Sequence, residues 1–223
     1  MTDPGLKDRL AAVEERIASA AARAHRSRSD IRLIAVTKVF PATAIRDAYG
    51  LGVRDFGENY VQEFEGKAPL VADLPDARFH LIGHLQSNKS RRAAELFQVI
   101  QTVDSVKLAG RLNEAAALDV MIEVKLSDEA SKWGAAPDDV PSIVDACRAA
   151  SQLRLLGLMT VPPWSEDAEQ SRPYFARLRE IAAKCALAEL SMGMSHDMEV
   201  AIEEGATSIR VGTALFGRRK KIK

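Results

Sequence analysis

Cysteine is scarce in this 223-residue chain: Cys147 and Cys185 are far apart and have no Cys-x-x-Cys spacing. That argues against a disulfide framework or a thiolate metal site, and both residues fall in predicted helices, where they read as small core side chains. Long hydrophobic runs are missing too. No stretch approaches the roughly 20 apolar residues of a membrane span, and the start, Met1-Thr-Asp-Pro-Gly-Leu-Lys-Asp-Arg-Leu10, lacks the apolar core of a signal peptide. A water-soluble cytoplasmic protein is expected. Charge of one sign is not in excess either, since Lys plus Arg and Asp plus Glu each number 31. No overall field therefore draws the chain to nucleic acid or to a membrane surface. The one local excess is the basic tail at 218–223, Arg218-Arg-Lys-Lys-Ile-Lys223, which reads as a solvated end.

What is present is enough apolar sequence, 47% of residues, for one sizeable core, and a single domain spanning 1–223 is expected. An opening helix within 1–27 is marked by Leu6, Leu10, Val13 and Ile17, whose spacings of four, three and four put them on one face. Eight apolar, strand-like runs follow: Arg32 to Lys38, Asp55 to Asn59, Arg78 to Gly83, Val99 to Asp104, Val120 to Leu126, Leu153 to Val161, Ala188 to Met194 and Ser208 to Ala214. Helical patterns separate most of them, at Ala42 to Leu51, Ser87 to Phe97, Asp104 to Leu118, Asp138 to Ala149, Glu166 to Lys184 and His196 to Glu204. Such alternation implies parallel pairing through right-handed crossovers, and eight units can close a TIM (β/α)8 barrel. An open doubly wound sheet is the competing architecture. Its usual G-x-G-x-x-G does not follow the first strand.

In a barrel the functional groups gather at the carboxyl ends of the strands. The first run, Ile31-Arg-Leu-Ile-Ala-Val-Thr-Lys38, reads as a strand buried on both faces that ends in an amine. Lys38 either snorkels to solvent or is a desolvated nucleophile able to attack a carbonyl. At the seventh unit, Ser195 reads as the N-cap of a helix beginning near Met198, and amides at a capped start suit an anion. Gly212-Thr213 after the eighth strand adds a place for close backbone approach and a hydroxyl, and barrels often bind phosphate in the loops after strands seven and eight. Arg210 shares a side of its strand with Gly212; it either faces that pocket or pairs with Glu203 or Glu204 at the surface. Asn59 and His80 are expected to line the pocket, and Met159 to pack on a ligand ring or fill core. Lys89 and Lys132 are competing amines without Lys38's apolar flank.

Seven motifs then carry a resemblance. Val36-Thr-Lys38 with Pro41, Phe56-Gly-Glu-Asn-Tyr-Val-Gln-Glu63, His80-Leu-Ile-Gly-His-Leu-Gln-Ser-Asn-Lys89, Gln101-Thr-Val-Asp-Ser105, Gly157-Leu-Met-Thr-Val-Pro-Pro163, Leu190-Ser-Met-Gly-Met-Ser195 and Ile209-Arg-Val-Gly-Thr-Ala-Leu-Phe-Gly217 occur in the order seen in the pyridoxal phosphate homeostasis protein family. The chain resembles that family over nearly its whole length. The resemblance implies a barrel of the alanine racemase N-terminal type, with pyridoxal 5'-phosphate held as an internal aldimine on Lys38. It implies that the phosphate sits against Ser195, Gly212 and Thr213, and that Arg210 contacts the pyridine nitrogen.

An arginine keeps its proton, so it would hold that nitrogen unprotonated and weaken the ring as an electron sink. With no racemase β domain after the last motif, and no evident substitute among Tyr49, Tyr60 and Tyr174, a non-catalytic cofactor binder is expected. Its partners would be pyridoxal phosphate and apo-enzymes that need it, and its state a monomer. The alternatives are an amino-acid racemase or another Schiff-base barrel enzyme, such as an aldolase using Lys38. No catalytic or metal-binding residue is nominated.

Overall fold

The computed structural model describes residues 4–217 apart from 128 and 130–132. The basic tail at 218–223 and Lys132 therefore lie outside the described residues. Helix α1 (Pro4–Arg23) owes its length to an alanine-rich sequence of high helix propensity. It ends in a Schellman arrangement: His25 takes φ 54°, its N–H donates to the Ala22 carbonyl, and Arg26 N–H reaches back to that of Ala21. The face read from sequence is the buried one, with Leu6, Val13 and Ile17 almost fully enclosed and Leu10 partly so. Each such side chain contributes at most about 1.5–3 kcal/mol on burial.

Eight parallel strands then close a barrel in sequence order: β1 (Arg32–Val36), β2 (Asp55–Glu58), β3 (Arg78–Leu81), β4 (Val99–Val103), β5 (Leu118–Glu123), β6 (Leu153–Met159), β7 (Glu189–Met194) and β8 (Ser208–Val211). Closure comes from β1 against β8, with Ile34 opposite Arg210 and Ala35 opposite Val211. The connecting helices are α2 (Ala42–Gly50), α3 (Val61–Lys67), α4 (Ser90–Leu96), α5 (Val106–Asn113), α6 (Val140–Ala149), α7 (Arg172–Lys184), α8 (Met198–Glu203) and α9 (Thr213–Phe216). The eight strand-like runs of the sequence are the eight strands, each within a few residues. Helix α3, not singled out by periodicity, spans only seven residues, too few for a repeating stripe.

Strand alternation divides the core into two parts. Residues such as Ala35, Phe56 and Leu81 join the main apolar core, while Ile34, His80 and Arg210 share the parity that points into the barrel. The lower mouth of the barrel is charged. Arg32 pairs with Glu189 at 3.3 Å and approaches Asp55 at 3.7 Å, and Asp119 is held by both Arg78 and Arg154. Met159 is fully buried and fills core. Cys147 is buried in α6 and its thiol is pushed up to about 11 by desolvation, while Cys185 is half-buried at the end of α7; both are free.

Candidate functional site

At the carboxyl ends of the strands, one cavity of about 380 Å³ is lined by Lys38, Asn59, Ser195, Arg210, Gly212 and Thr213, with Phe40, Ile82, Val161 and Trp164 among its apolar walls. Six of the seven residues picked from sequence thus meet in one place. Lys38 is half-buried in the turn just beyond β1, and Asn59 follows directly on β2.

The loops after β7 and β8 are joined to each other. Ser195 does not cap α8. Asp197 occupies that position, and its carboxylate accepts instead from Met194 N–H at 2.7 Å and from the Ser171 hydroxyl at 2.9 Å. Freed from capping, the Ser195 hydroxyl accepts from Ala214 N–H at 3.2 Å, which leaves its own O–H to donate. From the outside, α1 steadies both loops: Arg16 donates to the Ser195 carbonyl at 3.1 Å while pairing with Glu199, and Arg9 donates to the Leu215 carbonyl. With α8 and α9 only six and four residues long, what these loops present is local hydroxyl and amide donors more than a helix dipole.

Arg210 is 4% exposed and is not a surface ion pair; Glu203 and Glu204 are engaged by Arg172, Arg23 and Arg179. Its guanidinium donates to Ser191 Oγ at 2.7 Å and to the Thr160 carbonyl at 2.8 Å, which uses two of its five N–H groups. Desolvation by burial pulls its pKa down to about 10, against the opposing pull of the Asp197 and Glu123 charges, so it stays charged at neutral pH.

His80 does not line the cavity. It lies inside the barrel, 1% exposed, with Nε2 2.8 Å from Asp55 Oδ1 and Nδ1 3.1 Å from Gln101 Nε2. A chain of defined direction follows. Arg210 can only donate, to Ser191; the Ser191 hydroxyl donates to Gln101 Oε1 at 2.7 Å; Gln101 donates to His80 Nδ1; and His80 Nε2–H donates to Asp55. Every member has one role, so the chain fixes the Gln101 amide, selects the Nε2–H tautomer and anchors Arg210.

Sequence reasoning missed Ser191 and Gln101. Their signal was a polar side chain inside an otherwise apolar strand. It also gave no role to His196, which lines the cavity near Trp164, their rings 6.4 Å apart. Lys89 borders a second cavity that shares Asn59 with the first and is walled by His84 stacked on Trp133. Among the described residues no group of three or more His, Cys, Asp or Glu is placed to hold a metal, and no helix is long and apolar enough to cross a membrane.

Comparisons with known proteins bear on the family and the fold. A family model described as alanine racemase, N-terminal domain, matches residues 9–220. A pyridoxal phosphate homeostasis protein of Pseudomonas aeruginosa is 46% identical over 221 residues, covering 96% of each chain. The chain belongs to the pyridoxal phosphate homeostasis protein family. Another member, from Aquifex aeolicus, is 41% identical over 96% of this chain and 98% of its own. The structure of PipY of Synechococcus elongatus PCC7942 with PLP bound superposes with a TM-score of 0.81 at 42% identity, covering 92% of this chain and all of that one.

Proposed function

We propose that this protein binds pyridoxal 5'-phosphate at the cavity beyond the barrel strands and acts as a non-catalytic holder of that cofactor in the cell's vitamin B6 economy. The observation that carries the reading is the convergence of an amine, Lys38, a buried guanidinium, Arg210, and the donors of Ser195, Gly212 and Thr213 on a single cavity. The donor set fits the ligand's chemistry. The bound cofactor supplies an aldehyde, which condenses reversibly with an amine and releases one water.

Lys38 would furnish the amine. The Ser195 and Thr213 hydroxyls and the amides of the two joined loops would receive the phosphate, which carries close to two negative charges. Arg210, fixed by Ser191 and Thr160, would face the ring nitrogen and keep it unprotonated, which favours holding over turnover. Asn59 lines the wall between the two cavities. His80 acts only at a distance, through the chain that anchors Arg210.

Full-length relatives named for homeostasis and not for a reaction support the non-catalytic part of the proposal. A cytoplasmic location, a monomeric state and delivery to apo-enzymes complete it. The test is to incubate the purified protein with pyridoxal 5'-phosphate, reduce with borohydride and map the labelled lysine by mass spectrometry. Label at Lys38, lost in Lys38→Ala, is expected, whereas a protein that takes up none ends the reading. Exchange of the α-hydrogen across a panel of amino acids should stay at background; measurable turnover would replace a holder with an enzyme.

A further inference from the structure

The turn that carries Lys38 is held from behind by an ion cluster that lies off the cavity wall. Val39 has φ 61°, the left-handed region where a β-branched residue is strained. The residue is 53% exposed, so packing does not force that conformation. Two hydrogen bonds hold it: Phe40 N–H closes a turn onto the Thr37 carbonyl at 3.1 Å, with Val39 at its third position, and Val39 N–H donates to Glu63 Oε1 at 2.5 Å. On the other side of Lys38, the Thr37 hydroxyl donates to Glu58 Oε1 at 2.7 Å and the Thr37 carbonyl accepts from Lys67 Nζ at 2.9 Å. Lys67 ties the two sides together, 2.9 Å from Glu58 Oε1 and 2.6 Å from Glu63 Oε1.

The cluster is costly to build. Glu58 is fully buried and Lys67 is 8% exposed, and desolvation holds the Glu58 carboxyl above its ordinary value although Lys67 and Thr37 oppose it. Ions removed from water cost several kcal/mol each unless well paired, and replacing such a cluster with apolar packing is often neutral for stability. Here its contacts converge on the residues before and after one lysine.

We propose that Glu63, with Lys67 and Glu58, is a positioning unit that holds Val39 in the left-handed conformation and thereby turns Lys38 into the cavity. The proposal rests on reading Lys38 as the attachment point for pyridoxal 5'-phosphate. Glu63 is a positioning residue, since it touches Lys38's neighbour and not the cavity.

The experiment compares wild type, Glu63→Ala, Glu63→Asp and each combined with Val39→Gly. Three quantities are read: the rate of borohydride-trapped label at Lys38 with pyridoxal 5'-phosphate, the affinity for pyridoxine 5'-phosphate, which has no aldehyde, and the thermal midpoint. Glu63→Asp keeps a negative charge near the Lys67 ammonium but is one methylene too short for the bond to Val39 N–H, so it serves if the alanine variant folds poorly. Trapping is expected to slow about tenfold or more in Glu63→Ala and Glu63→Asp, as reactive groups lose alignment. Affinity for pyridoxine 5'-phosphate should stay within about twofold, because its binding does not use the Lys38 amine. Val39→Gly should restore roughly threefold or more of the lost rate, since glycine enters the left-handed region without strain.

Parallel loss of both ligands, or no recovery with glycine, would reduce the cluster to a structural role and overturn the proposal. Wild-type trapping rates in the Glu63 variants would overturn it while leaving Lys38 as the attachment point. Absence of any Lys38 label in wild type would instead remove the reading beneath it.

Discussion

Gly193 lies in the irregular stretch of β7 just before the Ser195 loop, with φ +91°, and an added Cβ would come within 2.5 Å of Ala201 Cβ in α8. Both backbone strain and overlap oppose any side chain there. Gly193→Ala should destabilise the fold by about 2–4 kcal/mol, read as a lower urea midpoint. Gly212 is under neither constraint. Its φ is −117° and a Cβ would meet Val36 at 3.4 Å, an ordinary contact, but both residues line the cavity. Gly212→Ala should therefore keep stability within about 1 kcal/mol while weakening pyridoxine 5'-phosphate binding roughly tenfold. Equal effects of the two substitutions on stability and on binding would contradict this division.

At the scale of elements, α1 is a brace for the two loops that face the cavity. Its apolar stripe was legible from the four-three-four spacing of Leu6, Leu10, Val13 and Ile17. The role of Arg16 was not, because reaching Ser195 and Glu199 spans 179 and 183 positions in sequence. Arg16→Ala removes a half-exposed ion pair and one bond to a carbonyl, a loss of about 1 kcal/mol in stability. It should weaken binding of phosphate-bearing ligands severalfold, and unchanged titrations in the variant would show that the Ser195 loop keeps its shape without the brace.

The same contrast explains what sequence could and could not reveal. Strand existence and order, and the gathering of Lys38, Ser195 and Arg210 at one end of the barrel, follow from local patterns repeated eight times. Which way His80 faces, and that Asp197 and not Ser195 begins α8, depend on partners far along the chain: Asp55 and Gln101 for the first, Ser171 for the second. Glu63 and Lys67 escaped notice for a related reason. Their importance comes from Val39's backbone, which no composition or period encodes.

Across the whole molecule, the hydrogen-bond chain runs from Arg210 at the cavity to Asp55, which approaches Arg32 at the charged lower mouth, and His80 is its one imidazole. Burial holds the His80 pKa below its ordinary 6.5, with desolvation outweighing the Asp55 hydrogen bond. The unfolded chain therefore binds a proton near pH 6.5 that the folded chain refuses until lower pH. Stability from this group is fully present above that value and declines as pH falls toward the folded value, by up to about 1.4 kcal/mol per pH unit. Glu58, raised by burial, works in the opposite sense: its contribution falls as pH rises from 4.5 through its folded value. The two are separated by comparing urea unfolding of wild type and His80→Gln at pH 8, 6.5 and 5.5. His80→Gln should be less stable at pH 8 by about 1–3 kcal/mol, from broken buried hydrogen bonds, yet lose less on acidification. Parallel pH profiles for the two proteins would mean that the imidazole titrates alike in both states, and that the neutral His80 tautomer is not what holds the chain in one direction.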